Sequence, residues 1–403
     1  MQALRKASFR SDKLQPVLVQ LTDGRSYASA ATHFSGGSDP RHFKHQDLEL
    51  HSSKKLQKKP DFGKLIFGRH FSDHMLDVAW SESHGWGVPR IGPIRNIELH
   101  PAAKVLHYAL ELFEGMKAYY GDDGKVRLFR PDQNMERMQT SAKRTSLPDF
   151  DGKRAHALHR SAHRRGPQLG PAESRQQPYE ALLYVITGPV GPYFPTGLKP
   201  VSLLADPQHV RSWPGGAGAY KMGSNYAPTI HVQKEAEKQG CQQVLWLHGD
   251  DHQVTEVGTM NVMVFWINEN GEKELVTAPL DGLILPGVTR NSLLALSREW
   301  GEFKVSERNF TMGDIEKAVE QKRLIEFFGC GTACVVCPVH NILYAGRNIK
   351  IPVPNEKASL SGRFLRTLND ITYGRVRGHP WAVDIDELIA TVPVSERIAV
   401  KSR

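Results

Sequence analysis

Lys221 stands inside "GGAGAYKMGSNYAP", residues 215–228, a run of glycines, alanines, a serine and two tyrosines. A surface lysine needs no such setting. A lysine that approaches a flat ring, bonds to it covalently and then swings away needs the room that Gly218, Gly223 and Ser224 leave. Glu256 follows in "EVGTMN", between a strand-like start and a Gly-Thr turn. "LPGVT", Leu285 to Thr289, leads straight into a helical pattern, so the first amides of that helix form an anion site. Arg137 can add a charge-assisted fork to the same anion. An amine nucleophile, a carboxylate for a ring nitrogen and a phosphate cradle together describe a pyridoxal phosphate pocket. Each also has a plainer reading, as a surface charge, a solvated carboxylate and an ordinary helix start.

The elements that must carry these groups are legible in part. "KVRLFRPDQNMERMQTSA" predicts a strand, a proline-marked turn and a helix holding Met135, Arg137 and Met138. "VLHYALELFEGMKAYYG" alternates like a strand up to its glycine. "TIHVQKEAEKQG" predicts an amphipathic helix closed by Gly240, and "QQVLWL" a buried strand. "VTEVGTMNVMVFWINENGEKELVTAP" predicts a β-hairpin over Asn-Glu-Asn-Gly. "PGVTRNSLLALSREW" continues as a helix with Leu293, Leu294, Leu296 and Trp300, and Thr311 caps a further helix with Asp314 in the capping-box position.

A chain of 403 residues is too long for one core, so the expected fold class is α/β or mixed α+β in two domains. The net charge of +9 is concentrated in two places. Residues 1–60 hold eleven Lys/Arg against five Asp/Glu and residues 152–178 six against one, which leaves the remainder slightly acidic. That distribution argues against nucleic-acid binding. No apolar run reaches the ~18 residues of a membrane span. "MQALRKASFR" is basic and acid-free, and "RSYAS", Arg25 to Ser29, resembles a processing site, which points to mitochondrial import. A basic tail without a fold, in a cytoplasmic protein, is the alternative.

"LFEGMKAY", "NMERM", "YKMGSNY", "EVGTMN", "LILPGVTR" and "FGCGTACVVCPVH" resemble, in order, the blocks of the branched-chain amino acid aminotransferases, pyridoxal 5'-phosphate enzymes of class IV, the animal mitochondrial form above all. The resemblance implies a homodimer with a small and a large domain that moves the amino group of Leu, Ile or Val to 2-oxoglutarate. It implies that Lys221 holds the cofactor and carries the proton at the substrate Cα. Glu256 would pair with the ring nitrogen, Tyr226 with the ring hydroxyl, and Arg137, Thr259, Val288 and Thr289 would complete cofactor binding. Phe67, Tyr108 and Phe113 would line an apolar substrate pocket, Tyr108 from a neighbouring subunit, or else simply pack in the core. Thr332 and Ala333 would present amides to the substrate carboxylate. Cys334 and Cys337 are either a redox pair, as the resemblance implies, or buried packing residues. One Cys-x-x-Cys, even with His340 nearby, is poor support for zinc, and no metal is expected. Cys330 stands where the family has a hydroxyl residue.

The expected layout is a leader without a fold over 1–60, a small domain over 61–187, a linker over 188–197, a large cofactor-binding domain over 198–381 and a C-terminal extension over 382–403. Residues 152–180 depart from the family. They hold two leucines and no Ile, Val, Phe or Met, where the family has a helix, a Tyr-x-Arg strand and a loop. Loss of that strand predicts neighbours with unpaired backbone, and leaves open a second reading as a catalytically impaired cofactor-binding relative.

Overall fold

The computed structural model describes residues 14–23, 43, 47–58, 60–150, 178–191 and 199–390, with the backbone alone for 14–23, 62 and 389–390. Two compact units divide it: residues 1–191 with 371–403, and residues 192–370.

In the first unit the chain runs β1 (Leu14–Asp23), β2 (Glu49–Leu50), β3 (His74–Ser81), β4 (Gly85–Trp86), β5 (Arg90–Pro93), α1 (Lys104–Tyr108), β6 (Glu111–Tyr120), β7 (Val126–Phe129), α2 (Pro131–Thr145) and β8 (Glu180–Thr187). Alternation explains β6, where Leu112, Glu114 and Met116 are buried on one side. Pro131 starts α2 at a position whose N–H no helix bond needs, as its sequence predicts. Met135, Met138 and Ala142 of α2 pack with Leu112, Met116, Ala181 and Leu183 to make this core. The strand expected from Val105 onward starts only at Glu111; Lys104–Tyr108 is helical and ends on Ala109 at φ 47°, in the left-handed region.

The second unit carries β9 (Val201–Asp206), α3 (Thr229–Lys238), β10 (Gln243–His248), β11 (Gln253–Val257), β12 (Met260–Ile267), β13 (Lys273–Thr277), α4 (Val288–Trp300), β14 (Lys304–Glu307), α5 (Met312–Glu320), β15 (Leu324–Gly331), β16 (Val335–Tyr344), β17 (Arg347–Lys350) and α6 (Leu360–Thr372, whose last two residues fall to the first unit). Its sheet runs β11-β10-β9-β16-β15-β12-β13-β14, and β11 also pairs β12. That extra pairing closes β11, β10, β9, β16, β15 and β12 into a hydrogen-bonded ring of six strands, which removes their edges. Leu203, Leu245, Val254, Val264, Phe327 and Ile342 from these strands share one core with Met312 and Ile315 of α5. The hairpin over Asn268–Gly271, the Gly240 closure of α3 at φ 76° and the Thr311–Asp314 capping box of α5 form as their sequences predict.

The chain then returns to the first unit with β18 (Ala382–Asp384) and α7 (Ile385–Ala390). The sheet there reads β18-β7-β6-β1-β8-β3-β5-β2, with β4 on β3. Two expectations are corrected. Residues 14–23, grouped with a leader lacking a fold, are a strand at the centre of this sheet. Loss of the family's strand predicts neighbours with unpaired backbone, but β6 and β8 are both paired by β1. Residues 382–390 of the extension likewise form elements, β18 pairing with β7. Residues 151–177, nearly all of the atypical segment, and 192–198 of the linker stretch lie outside the described residues. Among the described residues no helix is long and apolar enough to cross a membrane.

Candidate active site

The second unit gathers most of the sequence-predicted groups. Lys221 precedes a single turn of 3-10 helix, Gly223–Asn225, and that turn is tied down by Asn225. Its Nδ2 donates to the carbonyls of Ala217 (2.7 Å) and Tyr220 (2.8 Å), which fixes the chain on the N-terminal side of Lys221. The turn brings Tyr226 back against the lysine. Lys221 Nζ lies 3.4 Å from Tyr226 Oη and 5.4 Å from the centre of its ring.

Gly218 has a different reason from the one its composition suggests. A Cβ there would sit 2.5 Å from the Leu283 carbonyl and 2.6 Å from Ser212 Cβ. The glycine lets two backbones touch, so it holds the lysine loop in place rather than leaving it room.

Glu256, on β11, is 2% exposed. Its Oε1 accepts from the Leu285 amide at 2.9 Å and from Asn261 Nδ2 at 3.2 Å, and its Oε2 lies 3.0 Å from Arg211 Nε. Burial raises its carboxyl above the usual range, against the attraction of Arg211, the Leu285 amide, and the charges of Lys221 and Arg290. A carboxylate offers about four lone-pair sites, so these three donors leave capacity for one more. Arg211 also reaches the carbonyls of Leu283 (3.2 Å) and Gly218 (3.3 Å), and so joins Glu256 to the lysine loop.

Sequence reasoning missed Arg211 and Asn261. Neither stands in a local pattern, because their function comes from the ring of strands that brings them to Glu256. For Arg211 the only available signal is its place shortly before the lysine loop. Asn261 lies within the quoted "EVGTMN" block, where a polar side chain on an otherwise apolar strand could have been read as buried.

Gly287 caps α4, and a Cβ on it would meet Asn261 Oδ1 at 2.0 Å. The backbone therefore enters the helix pressed against the asparagine that holds Glu256. Val288 and Thr289 follow, both buried, at the end of a 13-residue helix where amides have no intrahelical acceptor and the dipole favours an anion. Thr259, in the turn between β11 and β12, is exposed.

Thr332 and Ala333 form the turn between β15 and β16 and are half-buried. Val335 closes that turn at φ 63°, a costly conformation for a β-branched residue. All four cysteines are free thiols. Burial pushes the Cys330 and Cys337 thiols well up, with the neighbouring Cys334 adding to it. Cys334 is half-buried, 3.1 Å from Met260 Sδ. Among the described residues no group of three or more His, Cys, Asp and Glu side chains is arranged to hold a metal.

The first unit holds the other candidates. Arg137, on α2, is buried in a bidentate pair with Glu114 of β6, Nε donating to Oε2 at 2.8 Å, and Asn134 supports the same carboxylate at 3.1 Å. Its expected role toward an anion rests on its residue type and on the resemblance. Phe113, half-buried, lies on β6; Phe67 is 37% and Tyr108 79% exposed.

Residues 111–342 match the amino-transferase class IV family. The cytosolic branched-chain-amino-acid aminotransferase of Mus musculus is 50% identical over 362 residues, 85% of this chain and 94% of that protein. The mitochondrial branched-chain-amino-acid aminotransferase of Bos taurus is 49% identical over 390 residues, 92% of this chain and 96% of that protein. The fold is shared with a branched-chain aminotransferase of Thermoproteus uzoniensis solved with norvaline, at TM-score 0.57 and 20% identity, over 77% of this chain and 99% of that one.

Proposed function

The chain belongs to the class IV aminotransferases, and from that premise we propose that it is a branched-chain-amino-acid transaminase, exchanging the amino group of Leu, Ile or Val with 2-oxoglutarate. The cofactor of this class is pyridoxal 5'-phosphate, which when bound supplies an electron-accepting ring. The residues present fit it. An amine beside a phenol, a buried carboxylate with one acceptor position open, and a helix N-terminus built on a glycine match its carbonyl, its ring nitrogen and its phosphate.

Lys221 would anchor the cofactor through its ε-amine and, once released by the substrate amine, take and return the proton at the substrate Cα. Tyr226, already within reach of that amine, would hold the ring hydroxyl. Glu256 would keep a proton on the ring nitrogen, and Arg211 and Asn261 fix its carboxylate for that purpose. The amides of Val288 and Thr289 would take the phosphate, with Thr259 beside them, and those of Thr332 and Ala333 the substrate carboxylate.

An apolar pocket around a fixed carboxylate selects branched aliphatic side chains. Valine, one methylene short of leucine, binds less strongly by about 0.8 kcal/mol. We assign a homodimer, supported by the exposure of Tyr108, and mitochondrial import, supported by the basic, acid-free first ten residues.

The observation that carries this reading is Glu256 held by Arg211, Asn261 and the Leu285 amide in the same unit as Lys221. The test is the visible spectrum of the protein purified with pyridoxal phosphate, before and after leucine. A coloured band that collapses on adding leucine is expected. A band that ignores leucine would replace this reading with that of a cofactor-binding relative.

A further inference from the structure

The centre of the first unit's sheet is made by the chain's own amino-terminal segment. β1 runs antiparallel to β6 from Leu14↔Tyr119 to Thr22↔Glu111, and antiparallel to β8 from Val17↔Thr187 to Asp23↔Ala181. Among the described residues, apart from β1, β6 pairs only with the short β7, and β8 only with β3. Removal of β1 therefore divides the described sheet into β18-β7-β6 and β8-β3-β5-β2 and leaves each half, among the described residues, with a long bare edge.

The sequence of β1 suits this position. "LQPVLVQLTD" is rich in Val, Leu and Thr, and its proline stands where an interior strand tolerates one. Pro16 is registered to Lys117 of β6, but the pairing with β8 starts one residue later, at Val17, so the missing N–H breaks no ladder on that side.

We propose that β6 and β8 bound a strand-accepting slot, that its occupant is residues 14–23 of the same chain, and that this segment is a required part of the mature fold. The tether supports an occupant from the same chain. Phe43 packs edge-on against Trp86, at 5.5 Å, in the core of this unit. The residues between Asp23 and Phe43 can span about 65 Å, ample for a unit of this size, and a short tether gives a local concentration on the order of millimolar. "RSYAS", Arg25 to Ser29, begins two residues after β1 ends. Cleavage there would turn the central strand into a separate peptide held without a covalent tether, in the manner of strand addition to a sheet edge. The slot then governs whether processing leaves a whole sheet or a split one.

The experiment uses the full-length holoenzyme with a specific protease site replacing residues 25–29. After cutting, the amino-terminal fragment should co-elute with the rest of the chain. Excess labelled peptide of sequence LQPVLVQLTD should then exchange into the slot, and the same peptide carrying Val19→Pro should not. In uncut chains, V19P should cost hydrogen-exchange protection at the amides of both Glu111–Tyr120 and Glu180–Thr187, while the cofactor spectrum reports that the second unit is folded. Unchanged protection on both strands in V19P would overturn the proposal, as would release of the fragment on cutting with no change in protection. Concentration-dependent dimers formed by exchange of the segment between chains would overturn the assignment to the same chain.

Discussion

Glu256 and Arg211 form a buried ion pair whose two halves have unequal reasons to be there. In the proposed function the carboxylate would serve the ring nitrogen; the guanidinium pairs with the carboxylate, while its other nitrogens hold the carbonyls of Leu283 and Gly218. Replacing Arg211 with Met leaves a carboxylate buried beside one amide and one asparagine, and should destabilise the protein by about 3–5 kcal/mol near neutral pH. The pH dependence follows from burial. The folded carboxyl of Glu256 lies above its unfolded value of 4.5, so its contribution is fully present below 4.5 and is lost as pH rises through the folded value. Arg211→Met removes a charge that lowers that value and so steepens the loss. Urea denaturation at several pH values should show wild type and variant close together below pH 4.5 and diverging above it. A gap that stays constant with pH would separate Arg211 from Glu256. At this scale the sequence singled out Lys221 and Glu256 through the short runs around them, each of which also has a plainer reading. It was silent on Arg211, whose role exists only after a strand and a loop distant in sequence have been packed together.

The elements most legible in the sequence are those set by local chemistry: the Asn268–Gly271 hairpin, the capping box at Thr311 and Asp314, and the proline-led α2. Those that were illegible depend on partners. β1 reads as part of a basic leader until β6 and β8 give its alternating backbone groups somewhere to bond, and β18 reads as a tail until β7 does the same. The start of α4 combines both cases, since "LPGVT" announces a helix but not why its glycine is needed. That reason is Asn261 Oδ1, which a Cβ at 287 would meet at 2.0 Å. Gly287→Ala must therefore displace Asn261, the Glu256 contact it makes, or the first turn of α4. The variant should lose about 1–3 kcal/mol of stability, in the range of overpacked sites, and bind pyridoxal phosphate more weakly. Titration of the apoenzyme with cofactor, followed by fluorescence, measures the second effect. Unchanged affinity would show that the amides of Val288 and Thr289 do not meet the phosphate.

At the scale of the whole molecule the question is whether one chain is sufficient for the chemistry. Tyr108 closes α1 with 79% of its surface exposed, a poor position for an aromatic residue whose only role is packing. The assignment that it serves the substrate pocket of a second copy makes a specific prediction about mixed dimers. Lys221→Ala should abolish turnover, and Tyr108→Ala should raise KM for leucine while leaving the fold intact. Dissociating the two variants and reassociating them gives hybrids in which one site has the lysine of the Tyr108→Ala chain and the tyrosine of the Lys221→Ala chain. That site is complete. If Tyr108 acts across the interface, the hybrids should recover the wild-type KM at about half the wild-type activity per dimer, because the other site of each hybrid has lost both groups. If Tyr108 acts within its own chain, every hybrid site lacks one group, and the mixture keeps the raised KM of Tyr108→Ala.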